Sequence, residues 1–168
     1  MIREAIAASN KKAGKSSSSK GFALTPEEKL TGRNFASNKG KLPWPVERGV
    51  VKVRYGTQRS PIDPTVEIKS NGVRIATEKN SRVRAVFNGE VLAVAGQKYS
   101  NPTVLIRHGN YITAYRNLSK VFVKTGDKIV TNQEIGEVFT NTDGETMLGF
   151  GIFKDSKPQN PAGWIYKM

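Results

Sequence analysis

Few residues in this chain could break a covalent bond. Its 168 residues include one histidine, His108, and no cysteine. A catalytic zinc site takes about three protein ligands, mostly imidazole or thiolate. Neither a three-histidine set nor two histidines with a carboxylate can be drawn from this sequence. A nucleophilic triad would use His108 as its base. No Gly-x-Ser-x-Gly element accompanies it, and a lone histidine at a strand end reads as structural. A glycosidase needs two acids in one cleft, whereas Glu67, Glu78, Glu90 and Glu145 are scattered. There is no glycine-rich phosphate loop, and disulfide and thiol chemistry are excluded.

The stretch Thr103 to Val123, TVLIRHGNYITAYRNLSKVFV, is the centre of the pattern. Val104, Leu105 and Ile106 form an apolar run. Gly109-Asn110 tolerates left-handed backbone, and Tyr111 to Tyr115 then alternate, which predicts a hairpin over 103–115. Further short runs rich in β-branched residues predict strands at Val50–Tyr55, Thr65–Lys69, Val73–Thr77, Val83–Phe87, Glu90–Ala95, Ile129-Val130, Gly136–Phe139 and Met147–Phe153. Turn signals at Gly56, Asn71-Gly72, Asn80-Ser81 and Asn88-Gly89 separate them. No helical period follows Pro45. Residues 42–168 therefore read as an all-β domain of the sandwich or barrel kind, entered through Leu42-Pro43-Trp44-Pro45-Val46 with Trp44 as anchor.

Residues 1–41 read differently, as a flexible N-terminal arm. Ile2, Ala5, Ile6, Ala8 and Ala13 are weakly spaced for one helix face over 1–13. A Ser-rich linker, GKSSSSKG, spans 14–21. Thr25-Pro26-Glu27-Glu28 is a helix start with a capping box. Gly32 is expected to end that helix, which could bury Leu30 and Phe35. It is either a linker helix or a lid over a groove.

Net charge is +13, from 27 basic and 14 acidic residues. Residues 1–41 carry nine basic and three acidic side chains, and residues 42–168 carry eighteen and eleven. The basic residues form no dense block and no stacking motif, so no nucleic-acid partner is expected. An acidic polymer, an acidic protein or simple solvation suits the excess. No stretch approaches about 18 apolar residues, so no membrane-spanning helix is encoded. The N-terminus lacks the apolar core of a secretory signal. The chain is expected to be cytoplasmic or a piece of a longer exported protein.

Two family resemblances follow from these segments. Val83–Val91 and Val123–Ile129 are similar to pieces of biotinyl and lipoyl carrier domains. A carrier displays a lysine at a hairpin tip, and Asn88-Gly89 has none. The larger resemblance spans residues 42–168 and is to the lysostaphin-type (LytM-like) zinc metallopeptidase domain, a duplicated hybrid β motif. It rests on Leu42–Val46, Gly72-Val73-Arg74-Ile75-Ala76, Val83–Val91, Ile106–Tyr111, Tyr115-Arg116-Asn117-Leu118, Val123–Lys128 and Leu148–Ile152, in that order.

The resemblance also implies where the metal would sit. The family's His-x-x-x-Asp motif falls on Ser70 to Arg74, and a shift by one residue gives Asn71. Its catalytic histidine falls on Asn117, and its His-x-His strand on Met147-Leu148-Gly149. His108 matches a histidine that is not a ligand. No metal and no catalytic residue is therefore expected. Such a degenerate site, with the approach Lys39–Pro45, is similar to the EnvC-like murein hydrolase activators. Those bind an N-acetylmuramoyl-L-alanine amidase through the vacated groove and promote septal peptidoglycan cleavage in cell division. The expected groove residues are Ser70, Asn71, Arg74, Arg116, Asn117, Met147, Gly149 and Gly151. The resemblance further implies a periplasmic or cell-envelope location, with an export signal and coiled coil upstream and residues 1–13 as that coil's last turns. A peptidoglycan-binding module and an active zinc endopeptidase are the alternatives.

Overall fold

A computed structural model of the chain describes residues 2–12, 22–96 and 100–168. The Ser-rich linker expected over 14–21 lies outside them. Two helices come first, α1 (Ile2–Lys12) and α2 (Pro26–Ser37). The described strands are β1 (Val50–Val53), β2 (Gly56–Arg59), β3 (Glu67–Ser70), β4 (Val73–Ala76), β5 (Arg82–Arg84), β6 (Gly89–Ala95) and β7 (Thr103–His108). They continue with β8 (Tyr111–Arg116), β9 (Leu118–Val121), β10 (Lys128–Ile129), β11 (Glu134–Val138), β12 (Met147–Lys154) and β13 (Lys157–Gln159). The domain is all-β, as the sequence implies. No described helix is long and apolar enough to cross a membrane.

One large antiparallel sheet runs β1-β4-β12-β8-β7-β6-β10, with β13 on β12. A three-stranded sheet, β5-β11-β9, supplies Val83, Leu118, Ile135 and Val138 to the same core. Side chains alternate across each strand. On β12, Leu148, Phe150 and Ile152 enter that core, while Phe153 joins a second cluster on the outer face with Leu105, Ile112 and Ala114. β2 and β3 pair with each other as a separate ribbon.

The N-terminal elements are packed on the domain. Ile6 of α1 is fully buried in the outer cluster. α2 starts at the predicted capping box, with Thr25 and Glu28 bonded reciprocally. It does not end at Gly32 but continues to Ser37. Gly32 is a contact point instead: a Cβ there would lie 2.5 Å from Asn110 Oδ1. Absence of a side chain lets the helix touch the β7–β8 turn, so this glycine permits packing rather than termination. Phe35 is fully buried, whereas Leu30 is exposed.

Arg107 joins these pieces. Its guanidinium forms an ion pair with Glu28, donates from Nη1 to Ser9 Oγ at 3.1 Å, and donates from Nε to the Gly109 carbonyl at 2.9 Å. It also lies 4.0 Å from the Phe22 ring centroid. One side chain thus ties α1, α2 and the hairpin turn together. Trp44 anchors the chain's entry, with Nε1 donating to the Tyr166 carbonyl at 2.8 Å.

Candidate functional site

The β3–β4 turn, the ends of β8 and β12, and the loop 139–146 enclose a groove of about 500 Å³. Six of the eight expected residues line it: Ser70, Arg74, Arg116, Asn117, Met147 and Gly149. Asn71 and Gly151 do not. Gly151, expected in the groove with Gly149, is buried instead, and a Cβ there would meet the Phe153 ring at 3.1 Å. The Phe153 ring already takes the space above it. The lid expectation also fails. α2 packs at the Gly109-Asn110 end of β8, whereas Arg116 is at its other end, roughly 20 Å away at strand rise.

Each groove residue has a local reason for its place. Ser70 Oγ donates to the Gly72 carbonyl at 2.8 Å and accepts from the Gly72 amide at 3.3 Å, so it closes its own turn. Asn117 sits at φ +68°, a left-handed conformation that asparagine tolerates. Its Nδ2 donates to the Met147 carbonyl at 2.7 Å, and its Oδ1 accepts from Asn101 Nδ2 at 2.7 Å. That amide is spent on holding β8 against β12. Arg74 is exposed. Arg116 is half-buried, and burial pulls its pKa below the usual guanidinium value.

Six lining residues lie outside the expected set: Gly72, Val73, Phe139, Asn141, Glu145 and Phe150. Asn141 Oδ1 accepts from the amides of Asp143 and Glu145 at 3.0 and 2.9 Å, which folds 141–145 into a tight turn. The signal was the turn sequence Asn141-Thr142-Asp143-Gly144. It presents Glu145 to the groove.

A zinc ion does not fit this set. Glycine offers no side-chain donor, Ser70 and Asn117 are bonded elsewhere, and Arg74 would repel a cation. Among the described residues no three His, Cys, Asp or Glu side chains gather at one point. His108 is remote from the groove in chemistry as well as place. It is fully buried, with Nδ1 2.7 Å from the Asn88 carbonyl and Nε2 2.8 Å from Thr113 Oγ1. A carbonyl only accepts, so Nδ1 carries a proton and donates it to Asn88. Burial pushes its pKa down from 6.5 to about 4. Tyr115 extends the network, 3.0 Å from Thr113 Oγ1 and accepting from the Val86 amide at 3.1 Å; burial raises its pKa to about 12.

Known proteins resemble this chain in both sequence and shape. The family model described as Peptidase family M23 matches residues 68–161. Over 67 residues the chain is 37% identical to peptidoglycan DD-endopeptidase ShyA of Vibrio cholerae, covering 39% of this chain and 16% of that one. The chain spans a quarter or less of the curated relatives it matches. Helicobacter pylori Csd3 superposes with a TM-score of 0.62 at 24% identity, over 76% of this chain and 35% of that one. A chain of the SpoIIIAH–SpoIIQ complex superposes at 0.60 with 27% identity, over 72% of this chain and 97% of that one.

Proposed function

The chain belongs to peptidase family M23, and from that membership we propose that it is a non-catalytic member acting by contact. In this reading it activates an N-acetylmuramoyl-L-alanine amidase of the cell envelope by binding it through the groove. The observation that carries the reading is Arg74. It stands where the LytM-like resemblance puts a metal-binding aspartate, and it reverses the charge of that position.

What surrounds Arg74 supports binding. The groove is open, and its chemistry is that of recognition: two arginines, a thioether and a backbone left bare at Gly149. Met147 supplies an adaptable apolar contact. The SpoIIIAH–SpoIIQ structure is that of a complex between proteins, which supports a protein partner for this architecture. The match to ShyA, a peptidoglycan endopeptidase, favours a second reading, in which the groove holds a peptidoglycan stem peptide.

The test is purification of the chain with candidate amidases, followed by capture and by murein release. Capture of one amidase and stimulation of its cleavage is the expected result. Stoichiometric zinc with murein cleavage by the chain alone would overturn it. Retention on peptidoglycan without any amidase capture would favour the second reading.

A further inference from the structure

Arg74, Gly149 and Arg116 stand in one row across three strands. Gly149 of β12 is the register partner of Arg74 on β4 and of Arg116 on β8. Directly paired residues of neighbouring antiparallel strands point to the same face. Two guanidinium side chains therefore rise on either side of a residue that has none. Strands lie about 4.8 Å apart, so the two arginine Cα atoms are roughly 10 Å from each other. A Cβ on residue 149 would lie 3.1 Å from Arg116 Cβ, so a larger residue there would close the gap.

Among the described residues, neither Arg74 nor Arg116 forms an ion pair. The Arg116 guanidinium lies over the Phe153 ring instead, 6.0 Å from its centroid. Glu145, the one acid lining the groove, pairs with neither. A half-buried guanidinium without an acceptor bears a desolvation cost that an anion would relieve. A planar carboxylate matches the guanidinium fork two bonds at a time.

We propose that this row is a carboxylate-binding site, in which Arg74 and Arg116 close over Gly149 on one acidic side chain of a protein partner. The assignment of that partner as a protein rests on the activator reading above. The carboxylate chemistry stands on the arginine pair alone. Glu145 limits the affinity, because its negative charge lines the same groove.

Three blocked peptides test it against the full chain at low salt, with guanidinium Nε–H resonances of Arg74 and Arg116 as the readout. Acetyl-Ala-Glu-Ala-amide carries only a side-chain carboxylate, acetyl-Ala-Ala-Ala only a terminal one, and acetyl-Ala-Gln-Ala-amide neither. The Glu peptide is expected to shift both resonances and to bind about tenfold tighter than the Gln peptide. Gly149→Val keeps both charges and fills the gap; it should lose about that tenfold, and Glu145→Gln should gain affinity. Equal binding of the Glu and Gln peptides, or full binding by a folded Gly149→Val protein, overturns the site. Preference for the free terminus over the Glu side chain overturns the assigned source. Amidase capture without peptide discrimination would sink the carboxylate site and leave the activator reading. Peptide discrimination without capture of any amidase would do the reverse.

Discussion

Phe35 of α2 stacks on His108 of β7, with ring centroids 4.8 Å apart and planes 17° from parallel. The helix before the β domain is therefore joined to its innermost polar network. Trp164 also stacks on Phe35, with ring centroids 5.0 Å apart.

That network gives the fold a pH dependence. The folded His108 resists protonation down to about pH 4, whereas the unfolded residue takes a proton near 6.5. Between these values the unfolded chain binds more protons, so stability falls as pH drops through the window and levels off beneath it. The loss between pH 7 and pH 5 is about 2 kcal/mol. Urea unfolding at both pH values checks it, with His108→Gln as the control. The same slope in both proteins would remove His108 as the cause.

Gly109→Ala should be severely destabilising. Gly109 has φ +69°, and a Cβ there would lie 2.7 Å from Gly32 Cα as well as against the Glu28 carbonyl. Left-handed strain and a backbone clash together cost on the order of 2–4 kcal/mol. A loss of unfolding free energy below about 1 kcal/mol, read from urea titration, would show that α2 stands off the turn.

Arg107→Met removes the tie between α1, α2 and the hairpin and leaves Glu28 without its partner. Both side chains are largely shielded, at 15% and 30% exposure, so the loss should approach 2–3 kcal/mol. Proteolysis should then cut near α1 first. Cleavage resistance equal to the parent protein would contradict the role given to Arg107.

Arg74→Glu should abolish most amidase capture while leaving the melting temperature nearly unchanged. Arg74 is exposed and forms no ion pair among the described residues, and surface changes of that kind stay within about 0.5 kcal/mol. Undiminished capture and stimulation would place the partner elsewhere.

Deleting residues 22–35 follows a different logic from the one a lid would dictate. A lid in the groove would raise partner affinity when removed. Phe35 belongs to the main core, so the deletion should instead lower stability by at least the 3–5 kcal/mol of a lost core phenylalanine. Thermal unfolding decides between the two.

The strands were legible because their alternation is local. Tyr111 to Tyr115 announce a strand without help from the rest of the chain, and Thr25 with Glu28 announces a helix start. What was not legible depends on contacts between distant residues. Gly32 looks like a stop signal until Asn110 is known to lie against it. Val83–Phe87 looks like one strand, yet β5 ends at Arg84, because the Ala85 amide bonds the Gln133 carbonyl and the Val86 amide bonds Tyr115. β2, β9 and β13 carry too little alternation to be seen alone. In the groove, the family resemblance named Ser70, Arg74, Arg116, Asn117, Met147 and Gly149, all of which line it. Glu145 arrives through an asparagine turn, and Gly151 is taken by an aromatic ring two residues along its own strand.

The alternation on β12 also bears on how such a protein changes its trade. Its inward side chains, Leu148, Phe150 and Ile152, hold the core, while Met147 and Gly149 face the groove. Mutation can sample one side of this strand while the other keeps the molecule folded. A descendant could acquire a new ligand, or lose an old one, and remain just as sturdy throughout the transition.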